Sequence, residues 1–172
     1  MTPPYSVEPL NTATHDRTAF SCGSAALDRY LHERAQQEAN RDVARVFILR
    51  AQQTPQTIIG YYTLSASAVE TNRLPPAIAK KLPRYQLLPA ILLGRLAIAV
   101  PYQGQHLGAL LLAEALRRAL RISEELGAMA ILVDAKDERA AAWYACYGFR
   151  RFQDRPLTLF LPMAEVRKLG RE

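Results

Sequence analysis

Leu93-Gly94-Arg95-Leu96-Ala97-Ile98-Ala99-Val100-Pro101-Tyr102-Gln103-Gly104-Gln105-His106-Leu107-Gly108 decides how this chain is read. An apolar run breaks at Pro101 into a polar loop containing Gly104, and at Gly108 the loop opens into a helix of apolar periodicity. Such a strand–loop–helix offers free backbone N–H groups and the positive end of a helix dipole to an anion. The phosphate of a cofactor is its natural occupant. There is no G-x-x-x-x-G-K-[ST], which excludes a nucleoside-triphosphate P-loop, and no G-x-G-x-x-G with a ribose-binding acid after the next strand, which excludes a dinucleotide fold. Taken alone, the loop also fits a generic strand-to-helix turn.

Downstream, Gly108 to Leu126 is expected as the clearest helix: Leu112, Ala115, Leu116, Ala119 and Leu120 recur on one face, and Gly127 stops it. A strand (Ala128 to Val133), a short helix (Asp137 to Tyr147) and a last strand (Leu157 to Leu161) follow. Upstream, Ser24 to Asn40 reads as a helix with Asp28 in its first turn, complementing the dipole. Arg45 to Leu49 and Thr57 to Leu64 read as strands joined by the turn Gln52 to Gln56, and a short basic helix is expected to start at Pro76. Ala90 to Ile98 supplies the strand that enters the loop. The order α, β-hairpin, short helix, β, α, β, α, β predicts an α/β (α+β) fold, a mixed central sheet flanked by helices. At 172 residues, with no repeat or linker, a single domain over 1–172 is expected.

Composition narrows the class. Hydrophobic residues make up 49% and charged residues 22%, as in ordinary globular domains. No apolar run reaches membrane-spanning length and no signal pattern opens the chain, so a cytoplasmic protein without membrane attachment is expected. Cys22 and Cys146 lack disulfide-framework or zinc-ligand spacing; both are expected to be reduced, and no metal site is expected. The net charge of +6 admits a polyanionic partner, since basic residues bunch around Arg34 to Arg50 and around Lys80 to Arg95.

Gln103-Gly104-Gln105-His106-Leu107-Gly108 resembles the acyl-CoA loop of the GNAT acetyltransferases, [Q/R]-x-x-G-x-[G/A], at its first and last positions. It departs at the middle glycine, where His106 stands and where φ > 0 would be costly. His106 itself reads as a loop residue, not a catalyst. Ala142-Trp143-Tyr144-Ala145-Cys146-Tyr147-Gly148-Phe149 resembles the aromatic pair and Y/F-G-F turn of the same superfamily. The resemblance narrows to the GNAT toxins of bacterial type II toxin–antitoxin pairs through Phe20 to Leu31, Gly60 to Ser65, Leu88 to Ala97, Val133 to Asp137 and Leu159 to Met163. It covers Phe20 to Met163; one departure is Ala99, where these toxins often carry Asp.

The resemblance implies transfer of acetyl from acetyl-CoA to the α-amino group of an aminoacyl-tRNA, which blocks translation. An amine attacking a thioester needs a positioned carbonyl, a donor for the oxygen that gains charge, and an acid near the sulfur. The resemblance assigns the pantetheine arm to the backbone of Leu96, Ala97 and Ile98, and the pyrophosphate to Gln103, Gly104, Gln105, His106, Leu107, Gly108 and Ala109. It makes Tyr144 the general acid, protonated at pH 7 as an acid must be; Tyr147 is expected to pack. No general base is apparent, and an α-amine of pKa about 8 has less need of one than a lysine. Glu70, Asp134 and Glu138 read as solvated or structural. Arg41, Arg45, Lys80, Lys81 and Arg84 are candidates for tRNA phosphate contacts. A ribbon-helix-helix antitoxin, whose C-terminal tail covers the active site, and a homodimer are also implied. The competing expectations are a GNAT enzyme for a small amine or protein N-terminus, and a non-catalytic binding module.

Overall fold

The computed structural model describes residues 4–170. Its strands are β1 (Tyr5–Pro9), β2 (Arg45–Ala51), β3 (Gly60–Glu70), β4 (Leu87–Ile98), β5 (Ala130–Asp134), β6 (Arg150–Arg151) and β7 (Thr158–Pro162). They form one seven-stranded sheet in the order β1-β2-β3-β4-β5-β7-β6. The sheet is mixed: β1–β2, β2–β3, β5–β7 and β6–β7 pair antiparallel, and β4–β5 pair parallel. The helices are α1 (Ala25–Arg29) and α2 (Ala35–Asn40), joined by a π-helical turn at Tyr30–Arg34, then α3 (Pro76–Ala79), α4 (Leu107–Glu125), α5 (Glu138–Ala145) and α6 (Met163–Leu169).

Backbone contacts divide the chain into two compact units. The first comprises 1–65 and 94–115. Its core is Phe20, Tyr30, Leu31, Ala35, Val46, Ile48, Ile58, Tyr61, Ala97 and Ala99. β2 contributes an unbroken buried run from Val46 to Leu49, as expected of a strand covered on both faces. At the β1 edge, Glu8 ties two elements down by accepting from Arg50 Nε at 2.7 Å and from buried His15 Nε2 at 2.8 Å. The Asn11 N–H donates to His15 Nδ1 at 2.9 Å, which assigns the ring proton to Nε2.

The second unit comprises 66–93 and 116–172, with Val69, Leu74, Leu88, Ala90, Leu132, Phe152 and Phe160 as a core cluster. Its parallel register runs from Ala90↔Ala130 to Leu93↔Val133. Because β5 ends at Asp134, residues 96–98 of β4 lie beyond the reach of that register.

The expected order of central elements is observed, with bounds shifted. Ser24 and Asp137 are N-caps rather than helical residues, accepting from Leu27 N and Ala140 N. The helix expected over Ser24 to Asn40 is interrupted by the π turn. The strand expected at Thr57 begins instead at Gly60 and continues to Glu70. α3 ends at Ala79, so Lys80 and Lys81 lie outside the helix expected to carry them. Gly127 lies two residues past the end of α4 and is not left-handed, so it does not supply the expected glycine cap. β1, β6 and α6 are additional to the expected elements.

Candidate active site

The loop expected to seat a phosphate lies wholly in the first unit, between a 3-10 turn at Val100–Tyr102 and the start of α4 at Leu107. Gly104 has φ +79°, open to glycine at no cost. His106 has φ +61°, so it adopts the left-handed conformation the sequence made expensive. Histidine is among the few non-glycine residues enriched there, and the strain is about 1–2 kcal/mol. The departure from the glycine pattern therefore leaves the backbone path of the loop intact. Among the described residues, the N–H groups from Gly104 to Ala109 donate to no protein acceptor; the first bond of the helix is Leu110 N–H to His106 O, at 3.3 Å. Six successive unclaimed donors at the N-terminus of a 19-residue helix fit a pyrophosphate.

Gln103 does something the sequence did not specify. Its side-chain amide donates to the Cys22 carbonyl at 2.8 Å and to the Ile98 carbonyl at 2.9 Å. It clamps the start of the loop to the end of β4 and to the segment before α1, so its contribution is positional. That segment is fixed in turn by Asp28, whose carboxylate accepts from the Cys22 N–H at 2.9 Å.

The backbone of Leu96–Ile98 is approached closely from β3. A Cβ built on Gly60 would stand 2.7 Å from the Ala97 carbonyl oxygen and 2.7 Å from Ile98 Cδ1, so only glycine fits. From the same strand, the Arg95 guanidinium lies 3.5 Å from the centre of the Tyr30 ring. Burial, partly offset by Arg95, pushes the Tyr30 phenol up to about 12, and burial pushes Tyr61 higher still. The Tyr30 hydroxyl donates to Glu38 Oε1 at 3.1 Å, and that of Tyr61 to the Leu27 carbonyl at 2.7 Å. Tyr62 bonds to Glu114 of α4 and stacks on Phe47. None of these pairings over long sequence separation has a local sequence signal.

Tyr144 lies in the second unit, in the last turn of α5. Its ring is 7% exposed and packs edge-on between Trp143 and Phe149, with centroids 5.1 and 5.5 Å away. Among the described residues its hydroxyl has no hydrogen-bond partner. Ser6 Oγ is the buried side-chain oxygen left in that state, so the Tyr144 oxygen still touches solvent although its ring is buried. Burial raises its pKa well above the ordinary tyrosine value, which keeps the proton on oxygen at neutral pH. The helix carrying it is anchored by the Asp137 cap and by Glu138, which accepts both Arg151 terminal nitrogens at 2.7 and 2.8 Å. Tyr147 packs edge-on against Trp143 yet remains 38% exposed.

Of the expected cations, Arg45 is engaged, donating to Asp42 at 2.7 Å and to the Ala39 carbonyl. Arg41 in the first unit, and Lys80, Lys81 and Arg84 in the second, are exposed and have no acidic partner among the described residues. Glu70, Asp134 and Glu138 bond to Arg73, Thr158 and Arg151 respectively, in keeping with structural roles. No group of three or more His, Cys, Asp or Glu side chains among the described residues could hold a metal ion. No helix of the described residues is long and apolar enough to cross a membrane.

A mixed sheet that delivers one strand into a loop of unclaimed backbone donors and a long helix, with a proton-bearing tyrosine on the following helix, is the frame of an acyltransferase-type α/β domain. The family model described as "Acetyltransferase (GNAT) domain" matches residues 42–151, and the chain belongs to the GNAT acetyltransferases. Over 165 residues it is 32% identical to a "tRNA-acetylating toxin" of Mycobacterium tuberculosis, covering 96% of both chains. It is 29% identical over 170 residues to a "Probable toxin TacT" of Sinorhizobium fredii, covering 95% of this chain and 93% of the relative. Among solved structures, AtaT complexed with acetyl-methionyl-tRNAfMet superposes with a TM-score of 0.89 at 31% identity, covering 96% of this chain and 99% of that one. A Tyr-to-Phe mutant of AtaT, bound to the C-terminus of the antitoxin AtaR and to acetyl-CoA, superposes with a TM-score of 0.84 at 27% identity, covering 99% and 100%.

Proposed function

We propose that this chain is an acetyl-CoA-dependent N-acetyltransferase toxin that acetylates the α-amino group of aminoacyl-tRNA and so blocks translation. The likeness to a tRNA-acetylating toxin along 96% of both chains carries this reading. Acetyl-CoA, when bound, supplies an activated acetyl thioester. The unclaimed N–H groups of Gly104 to Ala109 hold its pyrophosphate, and the backbone of Leu96, Ala97 and Ile98, past the β5 register, aligns the pantetheine arm. The amine nitrogen bonds to the acetyl carbon, the carbon–sulfur bond breaks, and the Tyr144 hydroxyl gives its proton to the departing sulfur. The proton shed by the acylated nitrogen passes to solvent, from which the tyrosine is reprotonated. Burial keeps that proton on the Tyr144 oxygen at neutral pH, the form an acid needs. An α-amine of pKa about 8 is already partly neutral near pH 7, so the lack of an assigned base suits this acceptor better than a lysine.

In this reading the whole chain acts as one catalytic domain in the cytoplasm. Arg41, Lys80, Lys81 and Arg84 make phosphate contacts, with Arg45 contributing if it leaves Asp42. The partner is an antitoxin of ribbon-helix-helix type whose C-terminal segment covers the site, and the toxin is a homodimer. Incubation of the protein with acetyl-CoA and a mixture of charged tRNAs tests the reading. Acetylated aminoacyl ends are expected. Turnover of polyamines or peptides with none on charged tRNA would overturn the choice of substrate, and absence of acetyl-CoA binding by calorimetry would overturn the enzyme.

A further inference from the structure

Tyr85 is 66% exposed, and the structure holds it out deliberately. It follows the segment Ile78-Ala79-Lys80-Lys81-Leu82-Pro83-Arg84, of which Ile78, Ala79 and Leu82 pack against the core cluster of Val69, Leu74 and Leu88. That packing leaves Lys80, Lys81 and Arg84 on the outside, and all three are exposed. The backbone beneath the ring is pinned, because the Thr71 hydroxyl donates to the Tyr85 carbonyl and the Thr71 N–H donates to the Gln86 carbonyl at 3.1 Å. Pro83 removes a further backbone freedom two residues earlier. From Lys80 to Leu87 there are three cations and no acid. The nearby acids Glu70 and Asp154 are both taken up by Arg73.

An open aromatic face on a pinned backbone, among cations without an acidic partner, has a specific chemical match. A polyanion supplies the charge complement, and a base outside a duplex supplies the flat partner that paired bases cannot offer. We infer that Tyr85 is a stacking platform for an unpaired base of an RNA substrate, with Lys80, Lys81 and Arg84 holding the adjacent phosphates. The inference rests on the tRNA reading above and adds to it a contact to the base.

Fluorescence anisotropy with labelled, uncharged tRNA and with a blunt RNA duplex tests it, using the full chain. Tyr85→Ala should weaken tRNA binding by roughly tenfold or more while leaving duplex binding unchanged, and Tyr85→Trp should restore it. The double variant Lys80→Gln/Lys81→Gln should weaken both ligands and lower the slope of log affinity against log salt by about two. Unchanged tRNA binding by Tyr85→Ala would overturn the inference, as would equal loss on both RNAs. A fall in sedimentation mass for that variant would also overturn it, by placing Tyr85 in a contact between copies. If the wild type acetylates charged tRNA and Tyr85→Ala binds normally, only this inference fails. If the wild type binds no tRNA, the substrate reading fails with it.

Discussion

Gly60 and Ala97 approach so closely that a single added methyl would stand 2.7 Å from the Ala97 carbonyl oxygen. Part of what it would meet is backbone, which cannot swing aside as a side chain does. Gly60→Ala should therefore cost about 1–3 kcal/mol by overpacking and displace the strand proposed to align the pantetheine arm. Calorimetric unfolding reads the first effect, and a raised KM for acetyl-CoA reads the second.

Tyr144→Phe keeps the aromatic packing against Trp143 and Phe149 and removes the hydroxyl proposed to protonate the thiolate. Growth arrest on expression without a partner should disappear and the rate of acetyl transfer should fall roughly 10²–10⁴-fold. The melting temperature should be unchanged or slightly raised. Full toxicity of the variant would show that Tyr144 is not the acid.

At His106 the left-handed backbone makes a sharp contrast between substitutions. His106→Gly relieves strain but loosens the unfolded chain, so stability should shift by less than about 1 kcal/mol and acetyl-CoA affinity should hold. His106→Val places a β-branched residue where it is least tolerated. It should lose about 1–3 kcal/mol of stability and weaken acetyl-CoA binding in titration calorimetry.

Gln103→Ala removes both amide donations, to Cys22 and to Ile98, from a residue that is itself exposed. Water can replace them, so the loss of stability should be about 0.5–1.5 kcal/mol. The larger effect should be on KM for acetyl-CoA, because the loop start is no longer clamped, while kcat changes little.

Three tyrosines, Tyr30, Tyr61 and Tyr144, have their pKa raised, chiefly by burial. In the unfolded chain they ionise near their ordinary value of about 10. The native state thus binds more protons above that pH, and stability falls as pH rises. The melting temperature should be flat with respect to these groups up to about pH 9 and decline above about pH 10. Tyr30→Phe and Tyr144→Phe should each make the decline shallower.

Much of this was legible because it is local. α4 was readable to within a residue at each end, and Leu111, Leu112, Ala115, Leu116 and Ala119 are all buried on its inward side. The family resemblance around Gln103 to Gly108 and Tyr144 carried the candidate site, and the one mismatch in the loop pointed to the residue with unusual φ. What escaped depends on partners distant in sequence. β1 is five residues ending in proline, held by Glu8 reaching Arg50 across 42 positions. The Gly60 approach, the Gln103 clamp and the Arg95–Tyr30 stack each require residues from separate elements. Arg45 shows a further limit of a sequence, since a run of basic residues does not reveal which of them pair with a neighbouring aspartate, as Arg45 does with Asp42.

The π turn at Tyr30–Arg34 also works as a gear. In a regular helix, eight residues advance about 800°, leaving positions eight apart roughly 80° out of alignment. One residue absorbed by the wider turn removes about 100° of that, bringing the two positions to within about 20° of the same azimuth. Tyr30 and Glu38 are eight apart, and their hydrogen bond at 3.1 Å spans this turn. Removing one residue between them would restore a regular helix in which the two stand seven apart, again about 700° on. The wide turn thus gives a spacing of eight the alignment that seven has in a regular helix.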